Sequence, residues 1–253
     1  MFNTKKITAV LLSVLFLTVL NSCDKAEDIS SKNVVSQTVE FNENGITDII
    51  NPDENSEEYE LGSYRISQNG IKLYYDESEI PTELMLTLEK YFTSFQNNDF
   101  ELYKSCLASD YIERYNKYLI ENYSSNDKEY SLKDSFELQC KNVRNLMIQQ
   151  ITGEFDISDD TEHSGNFKIT RLKAEPAELD EDETTEELTK KFFSFLDDVL
   201  DMDYYSYISE QADSLKYFTF FVIAEGEDGE EHRIISAMDI VFAEKNGKYY
   251  TFG

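Results

Sequence analysis

The spacing of apolar residues divides the chain into recognisable elements. Residues 63–66 and 71–75 are short apolar-polar runs on either side of Gln68-Asn69-Gly70. Asn-Gly tolerates positive φ at both positions, so this reads as a β-hairpin. Pro81 then opens a helix whose Leu84, Leu88, Tyr91, Phe92 and Phe95 fall on one face of a 3.6-residue period. Asn97-Asn98-Asp99 ends it, and Asn98 with Glu101 reads as a capping box for a short second helix. Asp110 with Glu113 marks a third helix to about Asn122, and Ser131 with Asp134 a fourth, with the stripe Leu132, Phe136, Cys140, Val143 and Met147. Strands are expected over 151–157 and 167–174. Thr184 with Glu187 opens a further helix, striped by Leu188, Phe192, Phe195, Leu196 and Val199. The chain ends in an antiparallel meander over 216–224, 234–243 and 248–252. Its turns are Asp228-Gly229 and Asn246-Gly247, both read as type I′.

These elements predict an α+β domain over 61–253, with amphipathic helices packed on a curved, cone-like antiparallel sheet. An acidic segment and helix over 175–207 read as an insertion between strands, either covering the cone mouth or lying outside the sheet. The segments 88–95 and 188–195 agree at five of eight positions. Their flanking strands do not repeat, so shared amphipathic constraints explain the match without a duplication.

Composition sharpens this picture. The 253 residues carry 23 Lys plus Arg against 51 Asp plus Glu, a net charge of −28, with 40% hydrophobic residues and 13% aromatics. That is enough apolar material for a packed core. So acidic a chain is repelled by phosphate backbones, which excludes nucleic acid as an expected partner. Eleven of the acids lie in 24–60, beside two Lys and few large apolar residues. This stretch reads as a self-repelling flexible tether. Eight more lie in 175–187 with no base.

The first 22 residues have their own grammar. Lys5 and Lys6 precede an apolar run over 7–20, shorter than the ~20 residues a spanning helix needs and typical of a secretory signal. The run ends in Leu20-Asn21-Ser22-Cys23, which resembles the lipobox of bacterial lipoprotein precursors, with Leu at −3, a small residue at −1 and Cys at +1. Asn21 departs from the usual small residue at −2. The resemblance implies cleavage before Cys23 and attachment of a diacylglycerol to its sulfur. Each lipid CH₂ then contributes ~0.8 kcal/mol to membrane anchoring. Loss of the two Lys within 1–22 takes the charge from −28 to −30. Asp24 at +2 resembles an inner-membrane retention signal of bacteria that have an outer membrane.

A second resemblance covers about half of the mature chain. The pattern of an amphipathic helix, the break Asn97-Asn98-Asp99-Phe100-Glu101, a second helix, then Asp110-Tyr111-Ile112 is similar to the opening of the nuclear-transport-factor-2-like (cystatin-like, SnoaL-like) fold. Gly247-Lys248-Tyr249-Tyr250 matches that family's closing strand. The resemblance implies a cone with an open pocket, in which some members run isomerase or dehydratase chemistry on an Asp, His or Tyr.

None of those catalytic motifs transfers residue by residue. Asp239 is the acid to watch, since simple alternation places it on a strand face with Ile235, Ala237 and Val241. There it is either a raised-pKa general base or a solvated surface acid. Cys106 and Cys140 remain once Cys23 is lipidated, either as buried free thiols or as a helix-to-helix disulfide. His163 and His232 lie far apart in polar stretches without zinc spacing. The alternating Asp156, Ser158, Asp160 and Glu162 lack the Gly and final Glu of a calcium loop, with Thr161 and Phe167 in those places. A Gly-rich phosphate loop, G-x-S-x-G and Cys-x-x-Cys are absent from the sequence, so no cofactor or metal is expected. Tyr111, Tyr115 and Tyr118 share one helix face, as core or as an aromatic contact surface.

Three functions fit. The first is non-catalytic binding of a small ligand, a glycan or an envelope protein by a lipid-anchored extracytoplasmic domain. The second is a small pocket enzyme built around Asp239. The third is a structural role in envelope assembly.

Overall fold

The computed structural model describes residues 40–125, 127–154, 162–179 and 183–253. The signal segment, Cys23, the tether to residue 39 and most of the acidic loop 156–162 lie outside these residues. Among the described residues the chain is α+β, with six α-helices and one curled six-stranded sheet in the order β1-β2-β3-β4-β5-β6. The strands are β1 (Tyr64–Ile66), β2 (Lys72–Tyr74), β3 (Phe167–Pro176), β4 (Ser214–Gly226), β5 (Glu231–Lys245) and β6 (Lys248–Tyr250). The helices are α1 (Thr82–Asn97), α2 (Phe100–Ser105), α3 (Ser109–Tyr123), α4 (Leu132–Thr152), α5 (Thr185–Leu200) and α6 (Tyr204–Gln211).

The expected sheet is corrected in one respect, because it is mixed. β2 and β3 run parallel, with Leu73 opposite Leu172. Parallel neighbours need a long crossover, and here α1 to α4 supply it. The other pairs are antiparallel. The connection from β3 to its neighbour β4 carries α5 and α6, so the inserted helix lies where expected in the topology. It packs against α3, β4 and β5, and its Phe193 joins the core. Phe193 of α5 and Tyr204 of α6 meet the ring of Phe252 at 4.9 and 5.9 Å.

One face of the sheet makes the core. Leu73, Leu172, Ala174, Phe218, Phe220, Val222 and Ala224 are all buried on it. Phe92 of α1 meets Phe220 at 4.9 Å, and Phe136 of α4 packs against Tyr103, Phe95 and Phe100 at 4.7, 5.5 and 5.7 Å. These rings fill the space between helices and sheet where the family resemblance implies an open pocket.

Local signals explain most element ends. Gly70 sits at φ +79° in the β1–β2 turn. Asn246 and Gly247 both have positive φ, as a type I′ turn requires. At 226–230 only Gly229 does. The Gly229 amide donates to the Gly226 carbonyl at 3.1 Å, a three-residue loop with Gly in the left-handed position, so the expected type I′ turn is corrected here. Capping boxes open α4 at Ser131/Asp134 and α5 at Thr184/Glu187. Two other boxes are corrected. Asn98 closes α1 in the left-handed region, where it cannot cap the next helix, and Asp99 caps α2 by accepting from the Leu102 amide. Asp110 lies inside the first turn of α3, whose N-cap position is Ala108, and its carboxylate accepts from the Tyr204 hydroxyl at 2.8 Å.

Three further expectations change. The strand at 151–157 is replaced by continuation of α4 to Thr152, ended by Gly153 at φ +74°, and 155–161 lie outside the described residues. The buried stripe of α5 is rotated onto Phe193, with Phe192 and Phe195 only half-buried, because Phe193 faces Tyr204 and Phe252. The tether does not run to residue 60. Ile46 is buried and pairs with Ser67, Ile50 pairs with Tyr64, and Glu57–Leu61 form a 3-10 turn. Acid content marks this segment as solvated, but two β-bridges to β1 and its turn and the burial of Ile46 dock it. On the opposite side of the same hairpin, the buried Glu89 of α1 accepts from Ser67 Oγ at 2.6 Å and Asn69 Nδ2 at 2.8 Å. A buried carboxylate needs such donors, and they tie the hairpin turn to α1.

Candidate functional site

The sheet's other face carries a cleft of about 240 Å³, lined by Glu60, Leu61, Tyr74, Arg171, Lys173, Phe221, Ile223 and Arg233. Strand register explains why these meet. Tyr74 lies opposite Lys173, and Lys173 opposite Phe221; Arg171 lies opposite Ile223, and Ile223 opposite Arg233. Directly opposed residues share a face, so four strands each deliver one or two side chains to the same spot. The 3-10 turn supplies the remaining wall. Lys72 pairs with Glu58 of that turn and lies over the ring of Tyr64, which fixes the wall to β1 and β2.

The charges are unusual for so acidic a chain. Three cations and one carboxylate line the cleft. Arg171 is paired with Glu231, and Lys173 with Glu175 at 2.8 Å. Arg233 makes no ion pair among the described residues and is exposed, with its guanidinium 5.7 Å from the centre of the Phe221 ring. Lys173 Nζ lies at the same 5.7 Å from that ring. Such placements over an aromatic ring are favourable cation–π contacts.

Tyr74 is the most informative member. Its side chain is 1% exposed, yet its hydroxyl has no hydrogen-bond partner. Burial, aided by the Glu58 carboxylate, pushes its pKa above the ordinary tyrosine value, so at neutral pH it is a protonated donor. An unsatisfied buried hydroxyl costs free energy unless something fills it.

Asp239 is elsewhere and in a different setting. It is exposed on the outer face and accepts from Tyr217 Oη and Thr219 Oγ1, both at 2.7 Å. The expected apolar strand face around it is corrected. Register shifts between Phe220 and Ile223 break the alternation along β5, so Ile235 faces the core opposite Val222 while Asp239 sits opposite Thr219. With its neighbours' hydroxyls donating to it and water around it, Asp239 has the surroundings of a surface acid.

Cys106 and Cys140 are free and buried. Cys106 Sγ bonds to the carbonyls of Leu102 at 3.4 Å and Thr87 at 3.8 Å. Burial pushes both thiols up to about 11. Thiolate is the reactive form, so both should resist a thiol reagent at neutral pH in the folded chain starting at residue 24. Denaturation should release two titratable thiols per chain, and a denatured, unreduced sample with none would reveal a bridge. His163 bonds Glu227 and His232 bonds Asp228, each at 2.8 Å, both acids being on the exposed β4–β5 loop. Tyr111 and Tyr115 are buried and stacked at 5.1 Å, so that stripe is core. No group of three or more metal-binding side chains occurs among the described residues.

None of the cleft residues stands out in the sequence. The available signal is Arg171 and Lys173 at alternate positions of one strand in a chain with twice as many acids as bases. No protein-family model, characterised protein or solved structure matches the chain.

Proposed function

We propose that the protein is a lipid-anchored extracytoplasmic binding protein, held to the membrane through Cys23, whose sheet cleft takes a small ligand without transforming it. The cleft carries this reading. Its lining offers three cations around the ring of Phe221, and its single carboxylate, Glu60, has no histidine or thiol beside it in the lining. That set is suited to hold and orient a ligand, whereas acid–base turnover needs a paired acid and base. The domain is read as a variant of the nuclear-transport-factor-2-like cone, its interior filled by Phe92, Phe95, Tyr103, Phe136 and Phe220, with binding moved to the outer face.

The location rests on the basic, apolar and Leu20-to-Cys23 grammar of the first 23 residues. No helix among the described residues is long and apolar enough to cross a membrane. Metabolic labelling with radioactive palmitate in a bacterial host tests this. Label and membrane association are expected for the wild-type chain and absent for Cys23→Ala. A labelled Cys23→Ala chain would sink the anchor.

A further inference from the structure

We propose that Tyr118 and Tyr123 form an oxidative cross-linking site, at which a peroxidase acting with hydrogen peroxide joins the two rings of one chain into a dityrosine. The site is separate from the cleft and from the lipid anchor.

Access narrows the choice of rings. Tyr111, Tyr115, Tyr118 and Tyr123 lie on α3 and Tyr130 follows it, with successive ring centres 5.1, 6.0, 5.9 and 6.0 Å apart. The run starts in the core, where Tyr111 and Tyr115 are buried, and emerges at the half-buried Tyr118, Tyr123 and Tyr130. Every other tyrosine pair in ring contact has a closed member. Tyr91 and Tyr103 are both buried, Tyr64 faces the buried Tyr74, and Tyr207 faces the buried Tyr204. Among the described residues, an oxidant in solvent therefore reaches both members of a pair only at Tyr118, Tyr123 and Tyr130.

The hydroxyls select the pair. Tyr118 Oη and Tyr123 Oη are 3.5 Å apart, longer than the ~2.7–2.8 Å of a good hydroxyl hydrogen bond. The contact is weak as a bond, but it sets the reactive edges of two phenols side by side. A phenol radical couples through the ring carbon next to its hydroxyl, so neighbouring hydroxyls bring the coupling carbons together. The planes meet at 65° and do not stack. Tyr130 offers Tyr123 a ring but no hydroxyl contact among the described residues. Held neighbours react without a bimolecular encounter.

In the reaction each phenol gives up one electron and its hydroxyl proton. Burial, aided by the Tyr118 hydroxyl, raises the pKa of Tyr123, so at neutral pH its electron and proton leave together. The two radicals form a carbon–carbon bond, and the hydrogen on each coupled carbon moves to oxygen to restore the phenols. The pair loses two protons and two electrons, and one hydrogen peroxide takes them up to give two waters. The product is a covalent staple across the last turn of α3, where helices fray.

The test treats the intact protein, kept dilute, with a haem peroxidase and limiting hydrogen peroxide. Trypsin cutting after Lys117 and Lys128 leaves both tyrosines in the peptide 118–128. That peptide should become two hydrogen atoms lighter and show dityrosine fluorescence. Tyr118→Phe and Tyr123→Phe should each abolish the lighter peptide. Tyr59→Phe should leave its yield unchanged, since Tyr59 is 53% exposed but has no ring contact among the described residues. Oxidation in unfolding urea, compared at equal loss of tyrosine, should give about tenfold less of it. Equal yield from the unfolded chain would mean that sequence spacing, and not the fold, makes the link, and would overturn the site. A link between 118–128 and 129–133, which joins Tyr123 to Tyr130, overturns the choice of pair. Cross-linked dimers with 118–128 unaltered overturn the proposal altogether.

Discussion

Phe136→Ala should lower the stability of the domain by about 3–5 kcal/mol, the range for removing a buried phenylalanine. Phe136 is 1% exposed and touches rings from three other places, Phe95 of α1 and Phe100 and Tyr103 of α2. It therefore joins the helices to one another in the middle of the crossover between β2 and β3. The truncation removes the ring's burial and leaves a void among rigid neighbours that cannot collapse into it. Domains commonly have about 5–15 kcal/mol in total, so about a fifth or more of the stability is at stake. A shift of about 2–4 °C per kcal/mol for a domain of this size puts the fall in melting temperature near 6–20 °C. Urea unfolding should show a lower midpoint with an unchanged slope. Phe136→Leu keeps most of the volume and should cost about half as much or less. A loss under about 1 kcal/mol for the alanine variant would mean that α4 is not locked into the core as described.

The same ring marks what could be read from sequence. Phe136 lies on the apolar stripe of α4, and the Ser131/Asp134 box that starts this helix is a local signal that the fold keeps. Hairpins form where expected at Asn69-Gly70 and Asn246-Gly247, with positive φ at both Asn246 and Gly247 but at Gly70 alone in the first. Failures occur where a distant partner decides. Asp110 sits inside the first turn of α3, not at its cap, and bonds Tyr204, which lies on a helix too short and polar to announce itself. The register shifts in β5 move Asp239 off the face that alternation assigns to it. Residues 46–60 count as tether by charge, but β1 and its turn hold Ile46 and Ile50. The cleft is the extreme case, assembled from the 3-10 turn and four strands whose meeting depends on registers set by the whole sheet. Asp239 was visible because one acid on an apolar strand is a local anomaly. Arg171, Lys173 and Arg233 become anomalous only once they are neighbours.

Alkali should unfold the protein steeply just above pH 10. Tyr91, Tyr103, Tyr111 and Tyr204 are at most 4% exposed, and each has its pKa raised above the ordinary 10.0. Burial is the largest cause in all four, and at Tyr204 the Asp110 carboxylate that accepts its hydrogen bond adds to it. The folded state thus holds these four protons when the unfolded chain has released them. Stability is fully present below the unfolded value near 10 and is lost as pH rises from there towards the folded values. Each retained proton contributes about 1.4 kcal/mol per pH unit, so four give a slope of about 5 kcal/mol per unit. Against a total of about 5–15 kcal/mol, unfolding should be complete within about one to three units above 10. Near-UV circular dichroism should collapse in one transition, and the phenolate absorbance of the buried tyrosines should rise at the same pH. Exposed tyrosines should titrate earlier and gradually. Tyr91→Phe keeps the ring and removes one of the four protons, so it should make the loss shallower by about a quarter and move the midpoint to higher pH. A wild-type chain whose tyrosines all titrate smoothly near 10 while its near-UV signal persists would show that these hydroxyls are in contact with water, and that the aromatic core is not closed around them.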